Sequence, residues 1–298
     1  MNLTKLQVLL ISACLLLLFI LYFVGERKST TPKNTTEEQT APLTMSANTG
    51  NAGAASALKT QLDMPALATK LKDKITQNAA DSITYWENQM QTQAGNNLTK
   101  TNALQQIAQL WEKEGYFEMS AYFRRQLART DSTQNNWLAA ANALADAFQL
   151  AADSTMRMFL IENAIDAYQK TLQFDTTQLD VKVNIANCYF DAYANNPQMV
   201  MNGVMMLRGV TAIDSTFAPA QLSLGRMAIV SGQYDKAVVR LQTVIRKDPT
   251  NAEAFYYLGE AYAALGQKEK AKEAFENCKK LVKNPNFAAE LDLYIQRL

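Results

Sequence analysis

A 34-residue period constrains this chain more than any other feature. Leu224-Gly225 and Leu258-Gly259 stand 34 residues apart, as do Gly232 and Gly266, Ala237 and Ala271, Leu241 and Phe275, and Val244 and Cys278. Six positions in one register mark a tandem unit, and units of this length bury their apolar faces by stacking on one another. Each position has a mechanical reason. Gly225 and Gly259 let a partner helix lie close. Gly232 and Gly266 end the first helix through a left-handed cap. Ala237 and Ala271 fall where the second helix crosses the first, and Pro249 stops the second helix. With 11 Gly and 7 Pro in 298 residues, a turn-rich β fold is disfavoured. The expected fold class is all-α.

The other segments read differently. Leu6 to Val24 is a run of 19 residues without a charge, roughly 28 Å as a helix, about one hydrocarbon core. It ends at Gly25-Glu26-Arg27-Lys28 rather than at a small-residue cleavage site, which favours an uncleaved transmembrane anchor over residues 1–24. A second reading stays open: Ile11-Ser12-Ala13-Cys14 resembles a lipoprotein lipobox, although ten further apolar residues follow Cys14. Lys5 on one side and Arg27, Lys28 and Lys33 on the other nearly cancel as orientation signals. A short tail before a large domain favours a single-pass protein whose C-terminal domain is extracytoplasmic, in the periplasm. Residues 25–62 are rich in Thr, Ser, Asn, Ala and Gly with no aromatic residue, the composition of a flexible, disordered linker. Residues 63–100 form a leading helical segment, with Pro65 at a helix start and apolar periodicity through Ile83, Trp86 and Met90.

The segment Phe255-x-x-Leu258-Gly259-x-x-Tyr262-x-x-x-Gly266-x-x-x-x-Ala271-x-x-x-Phe275 resembles a tetratricopeptide repeat. Earlier units match with insertions. Val183 to Tyr189 resembles a first helix, and Gly203, Leu207 and Val210 stand 34 residues before Ala237, Leu241 and Val244. Five extra residues around Asn195-Asn196-Pro197 lengthen the loop of that unit. Ala164-Ile165-x-x-Tyr168 reads as another second helix, partnered by one near Trp137–Leu150 across a longer insertion, and Ile107-Ala108-x-x-Trp111 begins the first unit. The resemblance implies an α-solenoid of stacked antiparallel helix pairs behind the anchor and linker. About five repeats cover 101–285, and a capping helix covers 286–298.

In this family the first helices line a concave groove that takes peptides or helices. The residue after the Gly or Ala of each first helix gives one polar column: Gln109, Asn142, Asn187, Arg226 and Glu260. Such a column can hydrogen-bond the backbone of an extended peptide, and it equally fits ordinary solvated lining. Phe190, Ile229 and Tyr256 are candidate apolar anchors beside it, with packing between repeats as the competing role. Some members clamp a chain-terminal carboxylate with Lys, Arg and Asn. Val183, Asn187, Ser223, Glu253 and Tyr257 stand at the matching places, so the lysines and arginine are missing and that clamp is not expected.

Chemistry is hard to place here. With no His, catalytic triads, imidazole bases and His-containing zinc sites are excluded, and three Cys without C-x-x-C exclude a four-thiolate site. Met199, Met201, Met205 and Met206 cluster, but Met205 and Met206 point to different faces of a helix, which suits packing better than a soft metal. Cys188 and Cys278 read as buried free thiols, and the six lysines of 268–283 as a solvated face. No phosphate loop or paired nucleophile and base occurs. A formal net charge of +1 offers nothing to nucleic acid. Catalytic residues, cofactors, metals and a small-molecule substrate are therefore not expected. The expected function is a non-catalytic, membrane-anchored scaffold, held by residues 6–24, that binds a protein or peptide in its groove. The alternative is an assembly chaperone for exported proteins, resembling the repeat factors of cytochrome c maturation.

Overall fold

The computed structural model describes residues 62–93 and 95–298. Among these residues there are thirteen α-helices and no strand. A leading pair, α1 (Met64–Lys72) and α2 (Gln77–Thr92), precedes five helical hairpins. They are α3 (Asn97–Lys113) with α4 (Phe117–Thr130), α5 (Gln134–Leu150) with α6 (Ser154–Phe174), and α7 (Leu179–Ala192) with α8 (Pro197–Ile213). Then come α9 (Ala218–Val230) with α10 (Tyr234–Lys247), α11 (Ala252–Ala264) with α12 (Lys268–Leu281), and a last helix, α13 (Pro285–Gln296).

Small residues set the spacing inside the hairpins. A Cβ on Gly225 would lie 3.0 Å from Leu241 of α10, and one on Gly259 would lie 2.6 Å from the Phe275 ring of α12. In the α7–α8 hairpin the roles are exchanged: Gly203 on the second helix receives Phe190 from the first, again at 2.6 Å from its would-be Cβ. Around these contacts the apolar positions close into a buried core, from Trp111, Met119 and Leu144 through Ile185 and Leu207 to Leu241 and Phe275.

The turns repeat as regularly as the cores. Gly115, Gly232 and Gly266 have φ of 83°, 70° and 70°, and each ends a first helix. The following amide reaches back to a carbonyl five residues earlier: Tyr116 to Trp111, Gln233 to Ala228, and Gln267 to Tyr262. This is the Schellman closure, which satisfies carbonyls that the helix end leaves free. Between hairpins, the carboxylates of Asp175, Asp214 and Asp248 accept from both the amide and the hydroxyl of Thr177, Thr216 and Thr250. Those hydrogen bonds hold the three carboxyls below the ordinary Asp range.

Insertions in the earlier hairpins become helix rather than loop. The residues added to the α7–α8 hairpin mostly extend α8, which runs 17 residues against 14 for α10. The long insertion expected between α5 and α6 is instead the first turns of α6, a helix of 21 residues that only Ala151, Ala152 and Asp153 separate from α5. A helical insertion keeps its backbone hydrogen-bonded while it buries Met156, Leu160 and Ile161.

The expected single-pass membrane location is corrected. No helix among the described residues is long and apolar enough to cross a membrane. Even α6, with enough residues to span, carries Arg157, Glu162, Asp166 and Lys170. The anchor expected at 1–24, its contact with a membrane through 6–24, and the linker up to residue 61 lie outside the described residues.

Two measurements check the mechanics. Gly259→Ala drives a methyl into the Phe275 ring and is expected to cost about 1–3 kcal/mol. Gly209→Ala, in open space on α8, is expected to add about 0.5–1 kcal/mol by helix propensity; urea denaturation reads both. The lowered pKa values make a second prediction. A carboxyl whose folded pKa lies below its unfolded value stabilises above the unfolded value and loses that contribution as pH falls through the folded one. Replacing Thr177, Thr216 and Thr250 together by Val is therefore expected to flatten the fall in stability below about pH 4, read as thermal midpoint against pH.

Candidate partner-binding groove

The first helices are the inner wall. Successive first helices α7, α9 and α11 touch one another side by side, whereas the second helices α8, α10 and α12 do not pack on each other in that way. A stack whose first helices crowd together curves toward them, so their free faces line its concave side. Between α5 and α7 the contact is at most marginal, and there a cavity of about 400 Å³ opens.

Two helix faces supply its polar walls. Asn142, Asp146 and Gln149 project from α5 at i, i+4 and i+7, and Asn184, Asn187 and Asp191 from α7 at i, i+3 and i+7. Such spacings place each trio on one face. The floor is Tyr168 of α6, a buried residue whose hydroxyl donates to Asn142 Oδ1 at 2.8 Å. Burial pushes the Tyr168 hydroxyl well above its ordinary value and the Cys188 thiol up to about 12, so both are neutral at pH 7. Burial likewise holds Asp191 above the ordinary carboxylate range, against the opposing effect of Arg226 on α9 at 3.9 Å and the Gln149 amide at 3.2 Å. Oδ1 of Asn187 is enclosed and has no donor among the described residues. A second open cavity, about 230 Å³, adjoins the first: it shares Asn142 and Asp146 and continues to Glu112 and Arg124, which are ion-paired.

The sequence-derived column is thus brought together at its centre and parts at its ends. Asn142 and Asn187 face one cavity, and Arg226 reaches it through Asp191. Gln109 is exposed on α3, outside both cavities. Phe190 is half-buried against Gly203, a contact within its own hairpin. Ile229 packs partly into the core of the last units. Tyr256 sits among Phe275, Phe287 and Tyr294, with ring centroids 5.7–6.2 Å away, and donates to Glu260 at 3.0 Å. Two of those rings come from α13, which covers the end of the stack with Leu291 fully buried. Sequence reasoning missed Asp146, Asp191, Asn184 and Tyr168. A signal for the two aspartates was present: each stands four residues after the column residue of its unit.

Elsewhere, Met201 and Met205 are exposed while Met206 packs into the core, so Met206 is turned away from the other two. Cys188 and Cys278 are buried and unpaired. No group of three or more His, Cys, Asp or Glu among the described residues is placed to hold a metal ion.

The hairpins and their groove define an all-α, tetratricopeptide-type solenoid. Family models agree where the period is strictest: a TPR repeat model matches residues 225–266 and a tetratricopeptide repeat model matches 252–285. Residues 225–285, most of α9 to α12, thus match models of the tetratricopeptide repeat family, whose domains bind protein or peptide partners. No curated protein matches the chain. Among solved structures, a thermophilic TPR protein of Thermus thermophilus is 13% identical, covers 66% of this chain and 100% of its own, and has a TM-score of 0.50. MamA from Desulfovibrio magneticus is 17% identical over 61% of this chain and 94% of its own, TM-score 0.45. YrrB, described as a TPR protein with an unusual peptide-binding site, is 17% identical over 72% and 98%, TM-score 0.43. The likeness to the Thermus protein supports the fold alone.

The packing separates two substitutions. Tyr256→Ala removes a half-buried ring from the α11–α13 cluster and is expected to cost about 2 kcal/mol, below the value for a fully buried aromatic. Asn187→Ala deletes an amide whose Oδ1 is unpaired and is expected to be near neutral in the same denaturation measurement.

Proposed function

We propose that this protein is a non-catalytic scaffold that holds an extended segment of a partner protein along its first-helix groove. The observation that carries the reading is the cavity between α5 and α7, walled by the amides of Asn142, Gln149, Asn184 and Asn187. Amides offer a donor and an acceptor on one side chain, which is what the alternating N–H and C=O groups of an extended backbone require. The groove is centred on Asn142, Asn187 and Arg226. Gln109 extends it toward the first hairpin and Glu260 toward the last, with Ile229 and Tyr256 packed behind as supports. Phe190 supports it from within the α7–α8 hairpin. The domain reading that goes with it is a leading pair over 63–100, a repeat body over 101–285 and a cap over 286–298.

The test is crosslinking in intact cells with the full-length chain, followed by affinity capture and mass spectrometry, run in parallel on variants. Asn142→Ala with Asn187→Ala, or Arg226→Ala, is expected to reduce capture of the same partner at least several-fold. Val239→Ser, at an exposed position on α10, is expected to leave capture intact. Full capture by the groove variants would place the interface elsewhere.

A further inference from the structure

The cavity between α5 and α7 is more than an amide-lined slot, because its charge is one-sided. Its lining includes two carboxylates, Asp146 and Asp191, and no Lys or Arg. The two differ in compensation. Asp191 has Arg226 at 3.9 Å and the Gln149 amide at 3.2 Å. Arg157, the other guanidinium near Asp191, is committed to the carbonyls of Phe148 and Ala151 at 2.9 and 3.2 Å and lies over the Phe148 ring. Asp146 forms no ion pair among the described residues. It stands where the two cavities meet, and the cation lining the adjoining one, Arg124, is held by Glu112.

A second, independent observation is Asn187. It faces the same cavity, and its Oδ1 is buried without a donor. A buried acceptor left unpaired costs about 1–3 kcal/mol, which a donor from a bound segment would recover. Asp146 and Asp191 thus put carboxylate oxygens on the walls of one space, while the Tyr168 hydroxyl on the floor is already given to Asn142. A carboxylate or phosphate placed there would meet the like charge of Asp146 and Asp191. A guanidinium or ammonium group, which donates in several directions and carries the opposite charge, completes them. The open volume of about 400 Å³ admits such a side chain together with the backbone that bears it.

We propose that the cavity between α5 and α7 is a cation pocket that receives a Lys or Arg side chain from the bound partner segment. This rests on the groove reading and names the chemistry that the groove selects. Asp146 supplies the uncompensated charge and Asn187 the free acceptor. Arg226 limits Asp191 to a secondary role and disfavours a second cation toward α9.

The test selects a randomised octapeptide display library on the immobilised full-length protein, in parallel with Asp146→Asn and with Asn142→Ala/Asn187→Ala variants. The expected result is enrichment of Lys or Arg at one register, with affinity about tenfold above matched peptides carrying Leu or Glu there. Asp146→Asn is expected to erase that preference; as an exposed residue with no hydrogen bond or ion pair among the described residues, its change is expected to leave the thermal midpoint unmoved. Raised salt should weaken the Lys and Arg peptides more than the Leu peptides. Selected peptides that bind without a basic preference, yet depend on Asn142 and Asn187, would overturn the cation pocket and leave the groove standing. Selection indifferent to both variants, or no selection at all, would overturn the two together.

Discussion

A glycine pressed by an apolar side chain of the facing helix sets the geometry on which the rest of this structure depends. At Gly225, Gly259 and Gly203 the space that a Cβ would fill is taken by Leu241, Phe275 and Phe190. The helices of each hairpin therefore approach closely enough for their remaining apolar residues to interlock. The left-handed glycines fix where a first helix ends, and the Asp–Thr turns fix where the next hairpin begins. Close contact, stop and restart recur in the chain, and a solenoid is the stack that results.

Curvature and function come from the same packing. Because the first helices α7, α9 and α11 touch one another and the second helices pack on each other at most marginally, polar residues on the first-helix faces converge. Where the α5–α6 hairpin is longer than the later ones, the convergence is interrupted and a cavity opens beside α7. The polar space thus lies beside the hairpin that departs from the repeat pattern. Its walls are neutral amides and carboxylates, and its floor is a buried tyrosine hydroxyl. Such a surface offers recognition by hydrogen bonding and charge.

Much of the architecture was legible in the sequence. The Leu-Gly pair, the capping glycines and the crossing alanines are each required by a backbone or steric constraint, so their spacing reports helix ends and contacts directly. Of the polar column, Asn142 and Asn187 line one cavity, and Arg226 stands 3.9 Å from Asp191 on its wall. Less legible was which aromatic side chains stay free. Tyr256 has the same helical phase as a groove residue, yet α13 folds over it with Phe287 and Tyr294. Insertions were also misread: a few extra residues look like loop until their apolar members, Met156 and Leu160, are seen to be buried in helix.

By itself, the sequence determined the all-α class, the helical hairpin as the unit, the caps and the places of close approach, because these depend on contacts within about 34 residues. Tertiary structure decided which hairpins spread apart, that among the described residues Asp191 has a cation and Asp146 has none, and which column residues the last helix covers. Those features depend on distances between helices that a period cannot encode. Electrostatic compensation and enclosure are properties of neighbours in space, and here the neighbours come from different repeats.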